Sequence, residues 1–257
     1  MRHDSSGTLA GWENIEHDAG DGAVQAASAL DEALKRALDV VVAALLLVLL
    51  APVILIVAAA IKLESSGPAF YRCRRVGKKG REFYMAKFRK MHDGAEGPAL
   101  ASWDDDRFTK LGPFLARTKL DELPQLWNVL RGQMSLVGPR PEDASFVDLH
   151  PAEFRVIHSV SPGMTGLSQL AFARESSVLD PEDRVGHYVK QILPQKVGID
   201  QLYATKRSVG MDLRILGWTV SAVLLRREVA VHRQTGALSL RAPRSSAQQV
   251  AIGRIQA

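Results

Sequence analysis

Asp121 and Glu122 are adjacent carboxylates, and Arg140 follows them locked between two prolines in Pro139-Arg140-Pro141. An ionised aspartate can attack phosphorus, and a neighbouring carboxylate can hold a divalent cation or manage a proton. The flanking prolines restrict the backbone at Arg140. Its guanidinium is thus presented at low entropic cost, and arginine can grip phosphate oxygens through two hydrogen bonds. Lys87, in Ala-Lys-Phe-Arg-Lys-Met, is a further candidate cation. Chemistry on a phosphate is the reading these residue types share. Each also has a plainer use: an aspartate at a helix start caps it, and an arginine in a proline turn can simply face solvent.

The elements that must position these groups are partly legible. Leu120, Leu123, Leu126, Trp127 and Leu130 recur at spacings of three and four, which predicts an amphipathic helix starting near Asp121 with that face in the core. Pro124 then falls in the first turn, where its missing N–H costs little, and a helix N-terminus favours negative charge. Gly138, Pro139 and Pro141 close this unit. Residues 69–90 read as a hairpin turning at Gly77-Lys78-Lys79-Gly80, with aromatic and basic residues alternating along both arms. Between Arg72 and Lys90 stand nine basic residues and one acid, Glu82. That field suits a phosphate ligand and equally a solvated edge beside anionic lipid. Asp104-Asp105-Asp106 reads as an exposed turn rather than a metal site. Residues 182–209 are charged and helical in pattern. The apolar stretch after Asp212 is too short to span a bilayer, and fits an interfacial helix as well as ordinary packing.

From Val40 to Ile61 the chain carries 22 consecutive uncharged residues. As one helix they would run about 33 Å, enough to cross a hydrocarbon core of roughly 30 Å. Pro52 falls mid-run and favours a kink. Basic residues flank both ends, so a helix-break-helix that enters and leaves through one leaflet and a simple span are both admissible.

Composition bounds the rest. A chain of 257 residues, 46% hydrophobic and 24% charged, can bury a real core. The formal charge of +5 favours an anionic partner. Cys73 is the only cysteine, which excludes an intramolecular disulfide and a CxxC metal site; it reads as a small packed residue. No GxxxxGK[ST], GxGxxG after a strand, HExxH or GxSxG motif is present, and the seven histidines do not fall at zinc-ligand spacing. Classical P-loop, zinc-protease and nucleophile-elbow chemistry are therefore poor fits. A membrane-anchored basic adaptor for anionic lipid or nucleic acid would explain the charge and the apolar run, but not a carboxylate pair followed by Pro-Arg-Pro.

An ordered set of motifs resembles the monotopic phosphoglycosyl transferases, or bacterial sugar transferases, over roughly residues 35–230. It comprises Lys35-Arg36 and Asp39; Lys-Leu-Glu-Ser-Ser-Gly-Pro-Ala-Phe-Tyr (62–71); Arg75-Val-Gly; Lys87-Phe-Arg-Lys-Met; and Leu-Asp-Glu-Leu-Pro-Gln-Leu-Trp-Asn-Val-Leu-Arg-Gly. Met-Ser-Leu-Val-Gly-Pro-Arg-Pro-Glu, Pro-Gly-Met-Thr-Gly-Leu-Ser-Gln (162–169) and Asp200-Gln-Leu-Tyr complete it. The resemblance implies an α+β, mainly helical protein. A disordered tail (1–34) would precede a re-entrant membrane helix-break-helix (35–62), a cytosolic catalytic domain with a small antiparallel hairpin and interfacial amphipathic helices (63–230), and a second disordered tail (231–257).

It further implies an enzyme of the bacterial inner membrane, active on the cytoplasmic face, that moves a sugar phosphate from a UDP-sugar to polyprenyl phosphate and primes a surface glycan such as exopolysaccharide. Asp121 would be the nucleophile, and Asp121 with Glu122 would hold Mg²⁺. Lys87, Arg117, Arg140 and Asp200 would serve substrate binding. Membrane lipid is an implied partner, nucleic acid is not, and a homo-oligomer is left open. The chain departs from the usual pattern at Ala51, Asp106, Pro113, Ala116 and Ser161, where relatives often carry serine, proline, two basic residues and arginine.

Overall fold

The computed structural model describes residues 29–97, 100–101, 105–173, 179–180, 182–225 and 227–241. Helix α1 (Ala29–Glu64) holds the whole apolar run, and its helical bonding continues through Pro52. The break expected at that residue does not interrupt the secondary structure. Proline still removes one N–H there, so the Val48 carbonyl lacks its usual donor. Most of the run faces outward, with Val48 76% exposed, yet both halves of α1 touch the remainder of the chain. Val42, Ala43, Leu46 and Leu47 pack on one core cluster, while Ile54, Val57, Ala58 and Ile61 pack on another.

The charges ahead of the run explain the first contact. Arg36 donates to the carbonyls of Val129 (2.6 Å) and Leu130 (2.9 Å), which end a helix and have no partner within it. Lys35 donates to the Val137 carbonyl (3.1 Å) and pairs with Asp212 (2.6 Å), and Asp39 accepts from the Leu136 N–H (3.0 Å).

Strands β1 (Phe70–Val76) and β2 (Glu82–Phe88) form the expected antiparallel hairpin, with Cys73 opposite Met85 and Tyr71 opposite Lys87. Cys73 is half-buried in it, as a packed residue should be. Helices α2 (Gly112–Thr118) and α3 (Gln125–Leu130) follow, then β3 (Ser135–Val137), α4 (Ala144–Val147) and α5 (Pro151–Ile157). Strand β4 (Gly163–Thr165) lies parallel to β3, with Ser135 opposite Gly163 and Val137 opposite Thr165. After α6 (Leu167–Ala171) come α7 (Arg184–His187), a π-helical turn over 188–192, α8 (Leu193–Lys206) and α9 (Val209–Leu225). Strands β5 (Val229–Val231) and β6 (Leu238–Leu240) close as an antiparallel hairpin. The disordered tail expected from residue 231 thus contains a folded hairpin. The first tail, expected over 1–34, is helical from Ala29, where α1 begins. Residues 1–28 and 242–257, on which the remainder of the two tail assignments falls, lie outside the described residues.

The main core gathers Phe83 and Met85 of β2, Leu126 and Val129 of α3, the β3 residues and Leu167, Ile199, Tyr203 and Ile215 from later helices. Two details depart from the sequence pattern. Trp127 was placed on the core face of its helix, yet it is 55% exposed while Val129 is fully buried. The helix begins only at Gln125, which rotates the inward face by part of a turn. Asp105 was expected in an exposed turn but is buried, ion-paired with Arg107 (2.7 Å) and Arg184 (3.3 Å).

Candidate active site

Asp121 and Glu122 lie on a 3₁₀ turn (Leu120–Glu122) wedged between α2 and α3, rather than in the first turn of a longer helix. Lys119 leads into it at φ +60°, a left-handed conformation unusual for a residue with a side chain. This bend turns the chain back after α2 and aims the carboxylates at β2. Neither side chain caps α3, so the plainer capping role is not the one adopted.

Asp121 is 2% exposed. Lys90 Nζ reaches its Oδ2 at 3.1 Å, while Oδ1 is buried with no hydrogen-bond partner among the described residues. A buried carboxylate oxygen without a donor is costly, which makes it a place for something to bind or react. Glu122 Oε1 faces two cations, Arg140 at 3.3 Å and Lys87 at 3.5 Å. Burial opposes its ionisation, but Lys87 and then Arg140 outweigh that and hold its carboxyl well below the usual carboxylate range. Burial lowers the Lys87 ammonium in turn, with Glu122 pulling the other way.

Local sequence explains how these groups meet. Asn128 of α3 accepts from the Ala86 N–H (2.9 Å) and donates to the Tyr84 carbonyl (2.8 Å), which stitches β2 to the helix after the carboxylates. That fixes Lys87 opposite Glu122. Lys90 is fixed by its backbone: its carbonyl accepts from Thr109 N–H (3.1 Å), and Gly112 approaches it so closely that a Cβ there would overlap the oxygen. Arg140 hangs from a loop pinned by the β3–β4 pair. Gly163 N–H donates to the Pro139 carbonyl (2.8 Å) and Gly138 N–H to the Thr165 carbonyl (2.9 Å). A side chain on Gly163 would fall inside the Gly138 backbone.

The site therefore brings together Asp121, Glu122, Lys87 and Arg140 as the sequence anticipated. Arg117 is elsewhere: it lies exposed on α2 and donates to its own helix at Pro113 O (3.2 Å). Asp200 is buried on α8 with Oδ1 unpartnered among the described residues. Burial pushes its carboxyl up to about 7, against a smaller opposing pull from Ser168, Lys196 and Arg140. Beside it Glu142 accepts from Lys196 Nζ and Tyr188 Oη, each at 2.8 Å. Sequence reasoning missed Lys90 as a partner of Asp121. Its only signal was its place at the end of the basic Lys87-Phe-Arg-Lys run.

With this geometry in place, comparison with known proteins decides the family. The bacterial sugar transferase profile matches residues 30–226. The chain belongs to that family.

This bears out the resemblance drawn from the motifs, and the chain is a phosphoglycosyl transferase by family. It is 43% identical over 195 residues to a UDP-glucose:undecaprenyl-phosphate glucose-1-phosphate transferase of Caulobacter vibrioides, covering 74% of this chain and 69% of that one. It is 37% identical over 207 residues to the exopolysaccharide production protein PSS of Rhizobium leguminosarum bv. phaseoli, covering 77% of this chain and 98% of that one. A UDP-N-acetylgalactosamine-undecaprenyl-phosphate N-acetylgalactosaminephosphotransferase of Aeromonas hydrophila is 33% identical over 196 residues. Of that longer relative the match spans less than half, 44%, against 74% of this chain.

Proposed function

We propose that this bacterial sugar transferase moves a sugar 1-phosphate from a UDP-sugar to polyprenyl phosphate through a covalent aspartyl intermediate. The observation that carries the reading is the unpartnered, buried Asp121 Oδ1 beside a cluster of three cations, Lys87, Lys90 and Arg140. Lys90 holds Oδ2 and so orients the carboxylate. Oδ1 attacks the β-phosphorus, an O–P bond forms, and the bond to the bridging oxygen breaks with its electron pair leaving on UMP. An oxygen of the polyprenyl phosphate then attacks the same phosphorus, displaces Asp121 and yields a polyprenyl-diphosphate sugar. Lys87 and Arg140 neutralise the diphosphate, exchanging part of their pairing with Glu122 for phosphate oxygens. Cations of this kind stabilise the charge that develops in phosphoryl transfer.

Mg²⁺ suits the residues present. It commonly takes one or two carboxylates and completes its shell with water and substrate phosphates, and Asp121 and Glu122 supply that number. When bound it would offset diphosphate charge. Among the described residues there is no group of three or more acidic, histidine or cysteine side chains placed to hold a metal; phosphates of the donor would complete the shell.

The acceptor requires the membrane, and α1 is long and apolar enough to cross one. We read it as re-entrant, entering from the cytoplasmic face of the inner membrane. Support comes from its two halves, which both seat on the same catalytic unit, and from Pro52 between them. A straight crossing would carry one end away from that unit. Apolar side chains on α9 (Leu213, Val220, Leu224), Phe114 of α2 and Trp127 are also exposed, as an interfacial face would be. The product would prime a surface glycan such as exopolysaccharide, whose production is named for the Rhizobium relative.

The test is UMP release from a panel of UDP-sugars by purified protein with Mg²⁺ and undecaprenyl phosphate, beside Asp121→Asn. UMP from at least one donor, lost in the variant, is expected. No UMP from any donor, with the variant indistinguishable from wild type, would refute the reaction. For topology, Asp31→Cys and Ser66→Cys in a Cys73→Ser background should both react with a membrane-impermeant maleimide only from the cytoplasmic side. Labelling from opposite sides would establish a span.

A further inference from the structure

A cavity of about 400 Å³ is lined by Glu64, His92, Asp106, Phe108, Lys110 and Pro113 among others. That volume lies within the roughly 300–1,000 Å³ of small-molecule sites. Its link to the nucleophile is short. Lys90 Nζ is 3.1 Å from Asp121 Oδ2 and 6.0 Å from the centroid of the Phe108 ring. Lys90 thus links Phe108 of the cavity to Asp121, which bears on what the cavity can take.

In an in-line displacement the leaving group departs opposite the nucleophile. With Asp121 attacking, UMP lies on the far side of phosphorus from Asp121 and Lys90. The substituent that stays on phosphorus, and so stays near Asp121, is the sugar. The lining agrees. One lysine, Lys110, also lines the cavity, but the carboxylates of Glu64 and Asp106 disfavour a diphosphate and accept hydrogen bonds from hydroxyl groups. Glu64 gives Oε1 to the Leu111 N–H (3.0 Å) and leaves Oε2 buried without a donor among the described residues. An aromatic ring beside such acceptors offers a flat apolar surface for the C–H face of a pyranose.

We infer that this cavity is the hexose subsite, with Phe108 packing on the sugar ring and Asp106 and Glu64 receiving its hydroxyls, and that it selects a neutral sugar over an acidic one. The inference rests on the proposed UDP-sugar reaction. It adds where the sugar sits and which residues of this chain choose it.

Binding and turnover separate the two claims. Wild type, Phe108→Ala and Asp106→Asn would be titrated calorimetrically with UDP and with UDP-glucose, UDP-galactose, UDP-N-acetylgalactosamine and UDP-glucuronate, and assayed for UMP release. Phe108→Ala should weaken the preferred UDP-sugar about tenfold, as loss of a packed ring does, and leave UDP within about twofold. Asp106 is exposed, so its variant should fold; Asp106→Asn should change the ratio of kcat/KM between the hexose donors and relax rejection of UDP-glucuronate. Equal weakening of UDP and UDP-sugar would move the nucleoside into the cavity and overturn the assignment. So would turnover with donor preference unchanged in both variants, which leaves the reaction itself standing. A wild type that neither binds nor turns over any UDP-sugar would overturn both.

Discussion

Two buried clusters of acids and cations lie close in the chain, separated by a single proline. Arg140 points to the first, where Glu122 shares Oε1 with Arg140 and Lys87 at 3.3 and 3.5 Å, and Asp121 keeps one oxygen unpartnered. Glu142 points to the second, where Lys196 and Tyr188 bind it at 2.8 Å each and Lys196 also donates to Tyr188 Oη at 2.8 Å. The first has long contacts and an open acceptor. The second has short contacts that close on one another around Glu142, with one oxygen of Asp200, unpartnered among the described residues, lying beside them. Long ion pairs with partly exposed cations can be traded for a phosphate at small cost, whereas a closed buried network is lost only with the structure around it. On the proposed reaction, the difference separates a site that works from one that positions.

The sharpest break in that comparison is Asp121→Asn. If the open acceptor is the nucleophile, UMP formation should fall by roughly 10³-fold or more, with little loss of folding stability, because the amide is nearly the same size. Lys196→Met in the second cluster should do the reverse. It strands Glu142 with Tyr188 alone and should cost about 3 kcal/mol, roughly 10 °C in Tm for a domain of this size. Adding Glu142→Gln should recover part of that loss. A thermal melt in detergent micelles showing Lys196→Met unchanged would remove the distinction.

Arg140→Lys sharpens the first half of the comparison. A lysine keeps the charge but loses the two-pronged grip, and it cannot hold the same oxygens from a proline-fixed backbone. Activity should drop about 10²-fold, with kcat affected more than KM. A variant with wild-type kcat would reduce Arg140 to a structural partner of Glu122.

What could be read in advance follows the range of the forces involved. Asp121, Glu122 and Arg140 stand in one short segment whose turn residues, Gly138 and the two prolines, prescribe where the arginine goes. Alternation in β2 put Lys87 on the side where it meets Glu122. Lys90 lies just past the strand, where period-two reasoning stops, and its place depends on the backbone approach of Gly112. Asp105 is buried by Arg184, 79 residues away in sequence, a pairing no local pattern records. Trp127 looked like core because the helix was begun at Asp121, and a 3₁₀ turn there shifts the phase. The β5–β6 hairpin escaped notice because its strands are three residues each, and Gly236, at φ +69°, sits in a turn that resembles a polar tail.

The smallest predicted effect tests whether the second cluster talks to the first through Asp200. Burial raises its folded-state carboxyl to about 7 from an ordinary value of 3.8. The folded chain therefore holds a proton between about pH 4 and 7 that the unfolded chain has released, and stability must fall as pH rises through that window. The contribution is complete below the unfolded value and is lost once pH passes the folded one. Between pH 6 and 8 the remaining loss should be about 1 kcal/mol, read from urea unfolding in micelles. Asp200→Asn should flatten this limb. Arg140 stands in the field of both Glu122 and Asp200, so the same variant should also flatten an inflection near pH 7 in kcat/KM. A flat stability limb with an unchanged activity profile would confine Asp200 to the closed cluster, and an inflection that vanishes with it would make Arg140 the group through which the two clusters are coupled.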